Sequence, residues 1–348
     1  MDVVRAPPGE RVVTALPIRV GLDLDGSLES LGDSMTDLAD ALSARGGCAL
    51  VRFHSRSRAG TGDVHLACRR FWAPWWRRGM GRSLDRLLPT VDVVHVAGVI
   101  TPPTRRVPEI VTVDDLRPLR GESRMNQRSA QLRRLVARGA IVVASSHVAR
   151  DEVLAVLGVA RDCVVVVSPA VPLVAPNVDG DELVVNVTGD VEHFVRLAPS
   201  LAAAADRLDT RLVALTSAAA AARIRSTAVR SIELRPRRDA REVLGAARVV
   251  VHISDGARFP SFAIAALGAG VPTITRSTPI NRELLAGAAI LAESDAAVVE
   301  QVDALWNNEQ HRALAVAAGR SRALDFSPSS VAGAYLDLYG DVVRGWDS

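Results

Sequence analysis

Apolar and polar positions along this chain form two successive series of short, Val- and Ile-rich runs separated by stretches of helical spacing. In the first series, residues 18–24, 48–53, 91–96, 110–113, 140–144 and 164–167 have the length and content of strands buried on both faces. Residues 34–45 put Met35, Leu38, Ala41 and Leu42 on one helical face, and Gly46-Gly47 ends that helix. Helices are also expected over 127–138 and 147–157. The second series repeats the arrangement, with strands at 183–187, 212–215, 231–234 and 249–253 and helices at 197–208 and 239–246. Strands that alternate with helices build parallel sheets through right-handed crossovers. The chain is therefore expected to be α/β, with two Rossmann-like, doubly wound parallel-sheet domains facing each other across a cleft.

The stretch 169–180 carries Pro169, Pro172 and Pro176 and ends in a polar turn. It places a linker at 173–182, between a first domain at 18–172 and a second at 183–324. Residues 1–17 read as a loose N-terminal tail, and 325–348 as a C-terminal helical segment.

The most informative stretch is 249–272, VVVHISDGARFPSFAIAALGAGVP. The strand residues Val249, Val250, Val251 and Ile253 meet a turn at Ser254, Asp255 and Gly256. A helical run of small residues then stops at Gly270-Val271-Pro272, a glycine stop before the next strand. Ligands of open parallel sheets sit at the loop after a strand's carboxyl end, so this loop is a candidate site.

Composition narrows the classes. A hydrophobic fraction of 48% with 23% charged residues fits a globular, water-soluble chain. No apolar run approaches the roughly 20 residues that span a bilayer. The N-terminus has no secretory signal pattern, so a cytoplasmic protein is expected. Cys48, Cys68 and Cys163 are scattered and odd in number, which argues against a disulfide framework or a metal site. All 42 basic residues are arginine, so chemistry that needs a lysine is excluded. The net charge of +3 is small and no nucleic-acid motif is present, so nucleic acid is not an expected partner. The absence of G-x-G-x-x-G after the first strand argues against a dinucleotide-dependent dehydrogenase.

One segment has an unusual composition. Trp72, Trp75 and Trp76 lie among Arg69, Arg70, Arg77 and Arg78. Arginine with tryptophan suits the headgroup region of an anionic membrane, and would place the protein peripherally at the inner face of the cell membrane. An aromatic interface with a partner protein is a second reading. A loop whose tryptophans fold inward onto arginines is a third.

Five pieces of the chain, in order, resemble retaining glycosyltransferases of family 4, whose fold is called GT-B. VDVVHV (91–96) resembles the family's D-V-V-H strand, and PEIVTVDDLRPLR (108–120) its P-x-V-x-T-x-H-D-L-x-P-L segment. AIVVASSHVARDEVLAVLGV (140–159) and DAREVLGAARVVVHIS (239–254) are similar to two further family runs. LDFSPSSVAGAYLDLYGDVV (324–343) resembles the tail whose last helix crosses back to the first domain. The stretch 254–272 resembles the donor segment S-x-x-E-G-F-G-L-P-x-x-E-A-x-A-x-G-x-P.

The resemblance implies transfer of a hexose from a nucleotide sugar to a glycan or lipid-linked acceptor, as in polysaccharide biosynthesis, with the nucleotide sugar as substrate and no cofactor. Such chemistry needs cations or helix N-termini on the diphosphate and acceptors for the sugar and ribose hydroxyls. It also needs groups that stabilise an oxocarbenium-like state. The chain departs from the family at each place. Ala257 and Ala265 stand where the family has two glutamates, and Asp114 where it has the histidine of H-D-L. Asp190 falls near the family's arginine, and His193 or Phe194 near its lysine.

Substitutes are expected from within the chain. Asp114 and Asp115 form a carboxylate pair after a strand, as a catalytic base or as a turn cap. Donor contacts are implied at Gly32, Gly189, Arg196, Arg235, Ser254, Arg258 and Phe259. Arg237 and Arg238 share with Arg235 a loop that lies near the nucleotide base in the resembled family, or are solvated surface. Glu283 matches a family continuation, x-E-l-l-x-x-g, or is a helix N-terminal charge. His95 is a catalyst near the cleft or, more often for a lone histidine there, a core residue. Two functions compete: an adapted glycosyltransferase, and an inactive pseudoenzyme that serves an active partner glycosyltransferase as subunit or scaffold.

Overall fold

The structure, a computed structural model, describes residues 17–24, 34–54, 63–66, 75–76, 78, 80–97, 103–113, 125–175, 180–225, 231–254, 256 and 258–346. Their strands fall into two sheets, every pairing of which is parallel.

The first sheet holds β1 (Ile18–Asp23), β2 (Cys48–His54), β3 (Val64–His65), β4 (Val93–Ala97), β5 (Glu109–Val113), β6 (Ile141–Ala144) and β7 (Val164–Val166). Their order is β3-β2-β1-β4-β5-β6-β7. The second holds β8 (Glu182–Thr188), β9 (Leu212–Thr216), β10 (Ile232–Pro236), β11 (Ala247–Ser254), β12 (Thr273–Arg276) and β13 (Ile290–Ala292), in the order β10-β9-β8-β11-β12-β13. Both orders run outward from a first strand and then reverse, the doubly wound arrangement the alternating pattern predicts.

Helices cover both sheets. In chain order they are α1 (Ser34–Arg45), α2 (Leu84–Leu87), α3 (Met125–Val136), α4 (His147–Leu157), α5 (Val191–Arg207), α6 (Ala218–Arg225) and α7 (Ala240–Ala246). Then come α8 (Ser261–Gly268), α9 (Pro279–Leu285), α10 (Asp295–Asn307), α11 (Glu309–Ala323) and α12 (Pro328–Trp346). β11 shows why its run is apolar without alternation. Val249, Val251 and Ile253 enter the core under α5 and α10, while Val250 enters the opposite core under α7 and α8. Gly270 follows α8 at φ +78°, and a Cβ there would lie 2.5 Å from the Arg320 guanidinium, so the helix stop is held by sterics from two directions.

Among the described residues, the two halves meet through three features. α12 buries Val331, Ala332, Tyr335, Leu338 and Tyr339 against the first sheet and α1. His95 on β4 lies 2.8 Å from the Tyr339 hydroxyl and 2.7 Å from Thr112 Oγ1, so it is a core residue with both ring nitrogens satisfied. Burial pushes its pKa down to about 3. The connecting segment places Ala170 in the first half's core and Val171 in the second's, with Val171 N–H donating to Phe326 O. Finally, the Glu283 carboxylate on α9 accepts from the backbone N–H groups of His147 and Val148, at 2.6 and 2.8 Å. The glutamate thus satisfies the open N-terminus of α4 in the other half, where Ser146 is the side-chain cap.

Element bounds differ from the sequence reading by a residue or two at most strands. Larger differences are β3, β13, α2, α6, α9, α10 and α11, which the sequence reading does not delimit, and α5, which begins at Val191, well before the expected 197. β3 has two residues, and the alanine run of α6 has little contrast between faces. α11 carries only Gly319 and Ala323 as buried positions, too small to register as a stripe.

Candidate functional site

The strand order of the second sheet reverses between β8 and β11, and in open parallel sheets the ligand crevice lies beyond the carboxyl ends of the strands at such a point. Gly189 leaves β8 at φ +93°, a conformation that favours glycine. The next residue, Asp190, caps α5 by accepting from His193 N–H at 2.9 Å. The carboxylate therefore occupies the helix end that an anion would otherwise use.

Beneath the crevice lies a polar layer on the face shared with α7 and α8. The Asn186 side-chain amide donates to Thr188 Oγ1 and to His252 Nδ1, both at 3.0 Å. Nδ1 accepts, so His252 carries its proton on Nε2. Burial, aided by the charge of Arg237, pushes the His252 pKa down to about 4, so the ring is neutral at pH 7. Neither His252 Nε2 nor Ser254 Oγ has a hydrogen-bond partner among the described residues, though Ser254 is only 9% exposed. Buried polar atoms without partners cost roughly 1–3 kcal/mol each, and here two of them stand together on one strand, two residues apart.

The neighbouring arginines diverge. Arg235 is bound to Glu242, Asp239 and Glu233 at 2.7, 3.0 and 3.3 Å, and these hydrogen bonds raise its pKa further. Arg238 is exposed. Arg237, which the sequence assigns to solvated surface, is half-buried, donates to Val187 O at 3.3 Å at the end of β8, and acts on His252. The sequence reading names it with Arg235 and Arg238 as a candidate substitute cation but weights it to solvated surface. The signal it offered was its place three residues past the end of the 231–234 run.

The other sequence candidates are placed as follows. Arg196 is exposed on α5. Arg258 is half-buried directly after the crevice loop. Gly256 in that loop has φ +68°, and a Cβ there would approach Thr278 to 3.5 Å. The Phe259 ring meets Phe326 edge-on at 5.7 Å. Ala265 is 1% exposed inside the apolar core of α8. His193 is buried with Nε2 2.7 Å from Asp295, which also takes Arg276 at 2.9 Å, and Phe194 is wholly buried. Burial pushes the Asp295 carboxyl up, but His193 and Arg276 outweigh it and leave the pKa below the usual carboxylate range. Gly32, Asp114 and Asp115 lie outside the described residues. So do Arg69, Trp72 and Arg77, whereas Trp75 is exposed and Trp76 buried.

No protein-family model matches the chain, and no curated protein does. Solved structures match along nearly its full length. Sucrose-phosphate synthase from Thermosynechococcus elongatus superposes with a TM-score of 0.66 and 12% identity, over 94% of this chain and 100% of that one. A glycosyltransferase from Rickettsia africae ESF-5 gives 0.64 and 12% over 94% and 98%. Anabaena HepE, solved in complex with UDP and glucose, gives 0.64 and 12% over 93% and 100%. The chain has the GT-B glycosyltransferase fold. Against TarM the match is partial, a TM-score of 0.55 over 71% of this chain and 54% of that one. At such identities the likeness concerns the fold, and no helix among the described residues is long and apolar enough to cross a membrane.

Proposed function

We propose that this chain transfers a sugar from a nucleotide-diphosphate donor to a glycan or lipid-linked acceptor, in the manner of retaining family-4 enzymes, with replaced side chains. One observation carries the reading: at the β8–β11 crevice of a GT-B fold, two buried polar atoms wait for partners beside Arg237. A donor bound there would bring oxygen acceptors to a neutral imidazole N–H, a hydroxyl and a guanidinium. Arg237 and Arg258 supply positive charge for the leaving diphosphate, in place of the arginine and lysine of the family. HepE, which shares the fold, was solved with UDP and glucose.

A second reading, an inactive subunit that serves an active partner glycosyltransferase, draws on a different observation. Asp190 caps its own helix and Ala265 is sealed in the core, so two positions that hold the donor in the family are closed to it. Calorimetric titration of UDP, GDP and ADP and of their sugars separates the two. An adapted enzyme binds one nucleotide in the micromolar range, and Arg237→Ala weakens that binding by roughly 10- to 100-fold, as for a lost charge-assisted hydrogen bond. An absence of binding across the panel sinks the enzymatic reading.

A further inference from the structure

Asn281, in the first turn of α9, lies wholly buried at the carboxyl end of β12. Its backbone N–H donates to the Thr278 cap at 3.3 Å. Its side-chain amide donates to Thr275 Oγ1 at 2.8 Å and to Arg276 O at 3.0 Å. The orientation of that amide is forced. The Thr275 hydroxyl gives its one proton to His252 O at 2.9 Å, so towards Asn281 it can only accept, and the Arg276 carbonyl can only accept. Nδ2 therefore spends both protons on the end of β12. Oδ1 is turned away from it, buried and without a hydrogen-bond partner among the described residues.

Thr275 ties this acceptor to the polar layer on β11. It pairs in register with His252, so the contacts run from Asn281 through Thr275 to His252. His252 keeps its proton on Nε2, because Nδ1 accepts from Asn186, and that N–H has no partner either. Ser254 Oγ is the third such atom. His252 is 2% and Ser254 9% exposed. The carboxyl ends of β11 and β12 thus gather a donor that cannot accept, an acceptor that cannot donate, and a hydroxyl that can do both. Thr278, on the turn that carries Asn281, stands against Gly256, so the loop after β11 borders the same place.

We propose that these three groups bind a hydroxyl of the donor's sugar, and that Asn281 is the residue that tells sugar from diphosphate at this end of the crevice. The inference rests on the nucleotide-sugar reading above and adds which part of the donor sits here. An alcohol oxygen accepts from His252 Nε2–H and returns its own proton to Asn281 Oδ1, with Ser254 free to serve in either sense. An ionised phosphate oxygen also accepts from His252 and Ser254. It has no proton for Oδ1, however, and would face it lone pair to lone pair in a buried site. A carboxylate fails for the same reason, and a cation meets the His252 N–H. A site built around a hydroxyl rejects the analogue that lacks it, because its own buried groups are then left unpaired.

The test is calorimetric titration of the full chain with UDP, GDP and ADP, with UDP-glucose, GDP-mannose and ADP-glucose, and with the monodeoxy analogues of the conjugate that binds. The nucleotide sugar binds at least about tenfold more tightly than its bare nucleotide, and one monodeoxy analogue loses roughly 10- to 100-fold of that affinity. Asn281→Ala brings the nucleotide sugar down to the affinity of the bare nucleotide, whereas Arg237→Ala weakens both ligands alike. In the wild-type protein, which needs no variant to fold, the His252 Nε2 resonance shifts with the nucleotide sugar and not with the nucleotide alone. Equal affinity for nucleotide and nucleotide sugar, tolerance of every monodeoxy analogue, or an Asn281→Ala variant that keeps the sugar's full advantage overturns the inference and leaves the donor reading standing. A His252 Nε2–H in contact with one water, alike in free and loaded protein, shows a resident water only and overturns it too. Binding of none of the six ligands overturns the donor reading and this inference with it.

Discussion

Arg235, Arg237 and Arg238 share a side chain and a four-residue stretch, and their environments part completely. Three carboxylates hold Arg235, solvent surrounds Arg238, and Arg237 folds over the end of β8 toward His252. Sequence places all three in one arginine-rich stretch: the carboxylates that hold Arg235 lie within seven residues of it, but the Val187 carbonyl that takes Arg237 comes from another strand. Replacement of Arg237 therefore acts on two observables: nucleotide binding falls, and the His252 pKa rises from about 4 as a neighbouring positive charge is lost. NMR titration of the His252 ring checks the second. His95 and His252 are both buried neutral, with pKa values near 3 and 4 against 6.5 for a free histidine. Between pH 6.5 and 4 the unfolded chain takes up protons at these rings that the native chain refuses. Stability thus falls on acidification by about 1.4 kcal/mol per pH unit for each ring. Denaturation midpoints across that window show the slope, and His252→Leu removes one ring's share of it.

At the scale of elements, α8 and α12 show how the same sequence features carry different weight once packed. α8 is the small-residue helix that resembles the family-4 donor segment, and Ala265 sits where that resemblance places a glutamate. The structure seals Ala265 among Ala263, Ala266 and Leu267 in the second half's core. Ala265→Glu is accordingly expected to destabilise the protein by several kcal/mol, as an unpaired buried carboxylate does, and not to improve donor binding. Chemical denaturation beside nucleotide titration reads both outcomes. α12 reaches back to the first sheet and places Tyr339 on His95. Tyr339→Phe leaves His95 Nδ1 buried without its partner and costs roughly 1–3 kcal/mol, measured by the same denaturation. The apolar spacing of α12 is plain in the sequence, but its target is not, since spacing marks a buried face and says nothing of what covers it.

For the whole molecule, the relation between the halves rests on few contacts with large leverage. α9 is central to them. Its cap, Thr278, stands beside Gly256 of the crevice loop, and its Glu283 holds the N-terminus of α4 in the other half. Arg322 donates to Leu284 O and Glu283 O and stacks on Phe326, which meets Phe259 of the same loop. The helix therefore joins the loop after β11 and the first half as one lever. Glu283→Ala should speed amide exchange at His147 and Val148 at least tenfold and enlarge the radius of gyration in solution scattering. Unchanged protection at those two amides rules the lever out.

The alternation of apolar runs and helical stretches was sufficient, by itself, to determine two parallel α/β sheets, because strands buried on both faces must be continuously apolar and each crossover must be helical. The same reasoning located the loop after β11, since a strand's end, a turn and a glycine-stopped helix are local signals. Local signals end there. That Arg237 reaches the end of β8 and that Glu283 serves the opposite half were settled by residues 50 to 136 positions away, and that His252 Nε2 and Ser254 Oγ have no partner among the described residues is likewise a result of packing. Side-chain charge is written in the chain, but its pairing is a property of the packed structure.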